Sequence, residues 1–282
     1  MNLDKVRVIV YDLDGTVYDD NRHFELYAQE IASHLPEAVR EAFWSDYRAT
    51  VSGRHAALRV GSFYDVERDL VLYPRAGKIV RAVHWEGNEV PPVVREQLYP
   101  GIVTPDNVTI MNVGDLWWVP SAISLHYGGE PEKHGRAFLR VRDIMSEPQY
   151  TMTAIPCLAE TVKALKESGK VVQVLATNSP QPDSEAILTK VGLIGLFDKL
   201  YFRSNKPVGL QAIFAELARQ YGCDMEHILS VGDNLVNEIA PARAMGCQTV
   251  FIDPFNLGEA DDADLRVTAM TDLIPLLRAH AS

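Results

Sequence analysis

The chain has 282 residues, enough for a full core and for two domains. Hydrophobic residues make up 47% and charged residues 23%, the balance of an ordinary globular protein. A net charge of −11 argues against nucleic acid as a main partner, because a phosphate backbone demands a basic footprint, yet it leaves room for a small phosphorylated molecule held by local charge and a metal.

The first element is the apolar run from Val6 to Tyr11, which reads as a buried parallel strand because it lacks in-out alternation of polarity. It ends on Asp12 and Asp14, and Gly15 then permits a sharp turn. Two close carboxylates repel and resist joint desolvation, a cost that a bound cation would relieve. Phe24, Tyr27, Ala28, Ile31 and Leu35 keep a helical spacing, Pro36 suits the first turn of a second helix, and Val39, Ala42, Phe43 and Tyr47 continue an apolar stripe towards Gly53. A helical hairpin of this kind has to pack on something else.

Residues 60–130 change character. KIVRAVHW predicts a strand, Pro91-Pro92 blocks any regular element, and VTIMNV, LWWVP and SAISLHY read as strands from their β-branched and aromatic content. EKHGRAFLRVRDIM predicts a helix. The segment is therefore expected to mix helices and strands. From about residue 151 the pattern is regular: a helix through Leu158, Val162 and Leu165 that ends at Gly169, a strand in KVVQVLATN, a helix over 182–191, a strand in KLYFR, an amphipathic helix through Leu210, Ile213, Phe214, Leu217 and Tyr221, a strand in HILSVGD, a short helix towards Gly246, and a strand in QTVFID. Such alternation predicts an α/β fold, a Rossmann-like three-layer sandwich around a mostly parallel five-stranded sheet. The first strand belongs with the later half, so the core is expected at 1–17 and 151–282, with 18–150 as an inserted domain of mixed helix and strand.

Cys157, Cys223 and Cys247 are odd in number and lack metal-ligand spacing, and they read as buried thiols in a reducing compartment. The opening MNLDKVRV reads as having neither a long apolar core nor a cleavage site, and no apolar run reaches bilayer length. A cytoplasmic protein with no membrane partner is expected, as a monomer or homodimer.

In open parallel sheets, ligands bind outside the carboxyl ends of the strands. Here those ends carry Asp12 and Asp14, then Thr177 and Asn178, then Lys206, then Gly232 and Asp233 with Glu238 beyond. Acids that can hold a hard cation, with a hydroxyl and an ammonium for phosphate oxygens, describe a phosphoryl-transfer site. This ordered set resembles the haloacid dehalogenase superfamily: DLDGT at 12–16, LATN at 175–178, Lys206 and GDNLVNE at 232–238 match its four motifs in order.

The resemblance implies a magnesium-dependent phosphatase acting on a small phosphorylated metabolite, such as a nucleotide or sugar phosphate. It makes Asp12 the nucleophile that forms an aspartyl-phosphate, and Asp14 the acid and then the base. It gives Thr177, Asn178 and Lys206 to the phosphoryl group, and Mg2+ to the Asp12 side chain, the Asp14 backbone carbonyl and Asp233. Asp14 is the proton donor that members attacking carbon lack, which disfavours dehalogenation. Family members commonly carry Asp where this chain has Glu238, which is accordingly expected outside the metal's inner ligands. The insertion occupies the place of the family's first class of cap, which reads the leaving group. Trp117, Trp118, His126, His134 and the basic run Lys133 to Arg142 are expected to be structural or exposed, so no cap residue is assigned to the site. A phosphomutase and a catalytically silent binding protein are the alternatives.

Overall fold

The structure, a computed structural model, describes residues 1–75, 77–256 and 262–281. It divides into two compact units, Met1–Asp20 with Arg142–Ser282, and Asn21–Val141. In chain order, the first unit contributes β1 (Val8–Tyr11). The second follows with α1 (Arg22–Ser33), α2 (Glu37–Val51), β2 (Ser62–Asp65), β3 (Leu70–Arg75), β4 (Lys78–His84), α3 (Pro92–Leu98), β5 (Ile110–Val113), α4 (Trp118–His126) and α5 (Pro131–Ser146). The first unit then resumes with α6 (Leu158–Ser168), β6 (Val172–Ala176), α7 (Gln181–Lys190), β7 (Lys199–Tyr201), α8 (Val208–Tyr221), β8 (Ile228–Gly232), α9 (Ala240–Ala244), β9 (Gln248–Ile252), β10 (Leu265–Val267) and α10 (Met270–Ala281).

In the first unit the strands order β10-β9-β8-β1-β6-β7, and every neighbouring pair is parallel. β1 lies between β6 and β8, with Val8 opposite both Val172 and Ile228. It is buried along its whole length, which is why its sequence shows no alternation. On one face Val8, Val10, Val174 and Ala176 pack with Leu210, Phe214 and Leu217 of α8, whose spacing puts them on one stripe. Truncating a fully buried ring such as Phe214 to alanine would cost about 3–5 kcal/mol. The expected core sheet gains a sixth strand, β10, too short at three residues to leave a periodic signal. Pro241, out of place in a helix interior, stands in the first turn of α9, directly after a wide turn over Leu235–Ile239.

The second unit holds an antiparallel sheet of order β4-β3-β2-β5. The α1–α2 hairpin packs its stripe on α4. Trp117 sits among Phe24, Tyr27 and Phe138, within the unit's own core. A polar knot joins α2 to the rest: the Asp46 carboxylate accepts from Trp85 Nε1 at 2.9 Å and from the Tyr127 hydroxyl at 2.7 Å. His126 stacks on Trp85 and pairs with Asp69 at 2.8 Å, so it is a satisfied structural histidine.

Three expectations for the insertion change. LWWVP and SAISLHY are not strands; Trp118–His126 is helical, with Pro120 in its first turn. Pro91-Pro92 does not block structure but opens α3, because the first helical turn needs no N–H from proline. The insertion, expected to run over 18–150, closes at Val141, since Arg142 onward packs with the first unit. α5 crosses that point without a break, so no proline or glycine marks it.

The cysteines are all free, with Cys247 buried but Cys157 exposed, contrary to the expectation of three buried thiols. Among the described residues, no helix is long and apolar enough to cross a membrane.

Candidate active site

The residues singled out by the sequence gather in the first unit at the carboxyl ends of β1, β6 and β8 and in the loop before α8. Asp12 directly follows β1, and its N–H donates to the Val231 carbonyl of β8 at 3.0 Å, fixing its backbone against the sheet. Its carboxylate is buried and receives the Lys206 ammonium at 2.5 Å. The same ammonium lies 2.9 Å from Glu238 Oε1, with only 3% of the lysine side chain exposed. Asn178 fixes the lysine from behind: its amide oxygen accepts the Lys206 N–H at 2.7 Å and its amide nitrogen donates to the Lys206 carbonyl at 3.2 Å. Asn178 thus positions Lys206 through its backbone.

Thr177 is buried, and its hydroxyl oxygen accepts from the Ser179 N–H at 3.0 Å, which leaves the hydroxyl hydrogen to be donated to an anionic oxygen. Asp233 comes close to Gly15, where a Cβ would lie 2.2 Å from the Asp233 carboxylate; Gly15 also has φ of +74°. Glycine is therefore required there both for the turn and for the approach of the acid. Gly232 plays a similar part for Glu238, whose Cγ would lie 2.8 Å from an added Cβ.

Carboxylate oxygens of Asp12, Asp233 and Glu238 all lie within 4.8 Å of one another. The Lys206 ammonium pairs with two of these three acids, Asp12 and Glu238, so the spot gathers carboxylate oxygens beside a compact cation. This donor set fits a hard divalent cation such as Mg2+, which prefers carboxylates and would offset the excess negative charge. Glu238, expected outside the inner ligands, belongs to this cluster. Its placement comes from the wide turn after Asn234, whose side chain caps the N–H groups of Val236 and Asn237, both at 3.1 Å. The Asn234 N–H donates to Glu238 Oε2 at 2.8 Å.

The electrostatics follow from burial. Desolvation pushes the Asp12 carboxyl above its usual range; Lys206 pulls it back and Asp14 adds to the rise. The Glu238 carboxyl is pushed up to about 8, by burial first, with Lys206 opposing and Asp12 reinforcing. Burial works against the charge of Lys206, but Asp12 and Glu238 outweigh it and hold the ammonium above its ordinary range.

Asp14 is gripped by groups that the sequence did not reveal. Ser179 Oγ donates to Oδ2 at 2.9 Å, and the Tyr18 hydroxyl donates to Oδ1. Arg142 Nη1 lies 2.5 Å from the same Oδ1, and Arg142 Nε donates to Asp183 of α7. The basic run Lys133 to Arg142 therefore splits: Arg136 and Arg140 are exposed as expected, whereas the Arg142 side chain is 1% exposed and faces two acids. Burial opposes its charge, and Asp14, Tyr18 and Asp183 raise its affinity for the proton beyond that of a free guanidinium. Tyr18 and Ser179 could have been suspected from their closeness to Asp14 and Thr177 in sequence. Nothing in the sequence distinguishes Arg142 from its neighbours.

The model of the haloacid dehalogenase-like hydrolase family matches residues 6–246. Among solved structures, the chain is similar to a putative HAD-hydrolase, YfnB from Bacillus subtilis, described as bound to magnesium, at 13% identity and a TM-score of 0.54, covering 96% of this chain and 98% of that one. It is also similar to the L-2-haloacid dehalogenase RSc1362, at 18% identity and a TM-score of 0.50, covering 97% and 99%. A further dehalogenase, described with an intermediate complex, shows 18% identity and a TM-score of 0.50 over 98% and 99% of the two chains. These likenesses are of fold. No curated protein matches the sequence. With its family match running from the first strand past the last site residue, and its fold shared with these enzymes, the chain belongs to the haloacid dehalogenase-like hydrolases.

Proposed function

We propose that this hydrolase is a magnesium-dependent phosphatase acting on a small phosphorylated metabolite. The observation that carries the reading is the convergence of Asp12, Asp233 and Glu238 beside Lys206, with Asp14 held close by in sequence and by Ser179. Displacing halide from carbon develops no dense charge on oxygen, and it has no use for three carboxylates round one point, two of them buried. A phosphoryl group brings several anionic oxygens, which call for a divalent cation and an ammonium together.

Asp12 attacks phosphorus through a carboxylate oxygen, the bond from phosphorus to the leaving oxygen breaks, and Asp14 gives that oxygen its proton. Water then attacks the aspartyl-phosphate and delivers a proton to Asp14. The bond from phosphorus to Asp12 breaks, which restores both acids and releases phosphate. Thr177 donates its hydroxyl to a phosphoryl oxygen, and Lys206 orients Asp12 and offsets its charge. Asp12, Asp233, Glu238 and the Asp14 carbonyl would hold Mg2+, which when bound neutralises charge on the phosphoryl oxygens.

The test is phosphate release from a panel of phosphorylated metabolites, with magnesium and with a chelator, beside halide release from 2-chloropropionate. Magnesium-dependent phosphate release that Asp12→Asn abolishes supports the reading. Halide release without phosphate release overturns it.

A further inference from the structure

We infer that Arg142 is the residue that positions Asp14 for proton delivery, an assignment that rests on the phosphatase reading. The guanidinium is buried and bridges two acids that lie far apart in sequence, Asp14 after β1 and Asp183 on α7. Nη1 reaches Asp14 Oδ1 while Nε reaches Asp183 Oδ2, so the planar fork is fixed at one end by α7 and fixes Asp14 with the other. Lysine offers a single point charge and cannot span both acids in this way.

The arginine is itself held firmly. The end of α5 is bound to α7 a second time by the Lys190 ammonium, which donates to the carbonyls of Met145, of Glu147 at 2.6 Å and of Tyr150 at 2.9 Å. Of these, the Met145 carbonyl belongs to the last turn of α5, where carbonyls lack intrahelical partners, and those of Glu147 and Tyr150 follow directly after the helix. The guanidinium therefore sits on a helix turn that cannot drift relative to α7. With Ser179 on Oδ2 and with both Arg142 and Tyr18 on Oδ1, neither oxygen of Asp14 can swing away.

Proton transfer demands that placement. A misplacement of about 1 Å can cost on the order of a hundredfold in rate. The loss has a signature that a structural role lacks. An alkoxide leaves only with a proton, whereas p-nitrophenolate leaves without one. kcat/KM ends with departure of the leaving group, so it is blind to the later hydrolysis in which Asp14 also takes part.

The experiment measures kcat/KM of the full chain with magnesium on p-nitrophenyl phosphate and on ethyl phosphate, for wild type, Arg142→Met, Arg142→Lys and Asp183→Asn. Arg142→Met should lose about a hundredfold on ethyl phosphate and less than about threefold on the aryl ester. Arg142→Lys should recover only part of the loss, and Asp183→Asn should show the same bias on a smaller scale. Should Arg142→Met fail to fold, Asp183→Asn carries the comparison, since it leaves Arg142 paired with Asp14. Equal losses on the two esters overturn the assignment while leaving the phosphatase intact. A wild type that releases phosphate neither from these esters nor from any member of the metabolite panel overturns the phosphatase reading, and the assignment with it.

Discussion

Lys206→Met exposes the electrostatic design of the site. The ammonium lies 2.5 Å from Asp12 and 2.9 Å from Glu238, and all three side chains are under 10% exposed. Methionine keeps the length and the apolar stem but leaves two buried acids facing each other with no cation. Removing one partner of a buried ion pair costs about 3–5 kcal/mol, which is about two to four powers of ten in the folding equilibrium. The acids can escape part of this by taking up protons, so the full cost belongs to alkaline conditions. The assay is urea unfolding at pH 8.5 with a chelator, followed by far-ultraviolet circular dichroism. Fluorescence would miss the event, because all four tryptophans, Trp44, Trp85, Trp117 and Trp118, lie in the second unit. With a slope of about 2–3 kcal/mol per molar urea, the transition of the first unit should fall by about 1–2.5 M. Adding magnesium, or combining the change with Glu238→Gln, should return much of it. A midpoint equal to that of wild type under chelator refutes the view that Lys206 is the counter-ion of these acids.

Other outcomes follow from the same geometry. Because burial pushes Glu238 up to about 8 against 4.5 when unfolded, the folded protein keeps a proton in that range that the unfolded chain has lost. Stability without metal should therefore fall as pH rises from 4.5 towards about 8, the reverse of an ordinary salt-bridged carboxylate, as melting under chelator across that range will show. Magnesium has to displace the same proton, so its affinity by calorimetry should rise over this window, and a flat affinity would contradict the placement of Glu238. Gly15→Ala forces a Cβ to 2.2 Å from the Asp233 carboxylate at φ of +74°, and should cost about 1–2 kcal/mol from backbone strain alone. It should also weaken magnesium binding, measured on the folded variant. Asp46→Ala strips the partner from Trp85 Nε1 and the Tyr127 hydroxyl and should destabilise the second unit by about 1–3 kcal/mol, read directly by tryptophan fluorescence.

The site was legible because each of its parts is local. A buried parallel strand is an apolar run, and the chemistry begins where the run stops, as at Asp12, Thr177 and Asp233. The helix α4 was illegible for the opposite reason. Val119, Pro120, Ser121, Ala122, Ile123 and Ser124 are all buried, so the helix has no polar side and loses the period that identifies one. Its branched and aromatic residues then read as strand. Arg142 sits on a helix of exposed cations, and only partners brought in from Asp14 and Asp183 set it apart. Glu238 was legible as an acid of the fourth motif but not as a member of the cluster, because the wide turn that brings it beside Lys206 is not written in hydrophobic spacing.

The central place of β1 has a consequence for how the molecule is made. Its partners, Val172 to Leu175 and Ile228 to Val231, are translated long after Val8 to Tyr11. At about 5–20 residues per second, a ribosome needs roughly ten to thirty seconds to reach even the nearer of them. The intervening loop is cheap at equilibrium, since doubling its length costs only about 0.6 kcal/mol, but such distant pairing is slow. The second unit is contiguous in sequence and can collapse while the VIVY strand is still waiting, apolar and without neighbours. Asp12 is thus synthesised well before the strands that flank it and is set in place only after them, so a chain interrupted between them carries Asp12 without the residues it meets at the sheet.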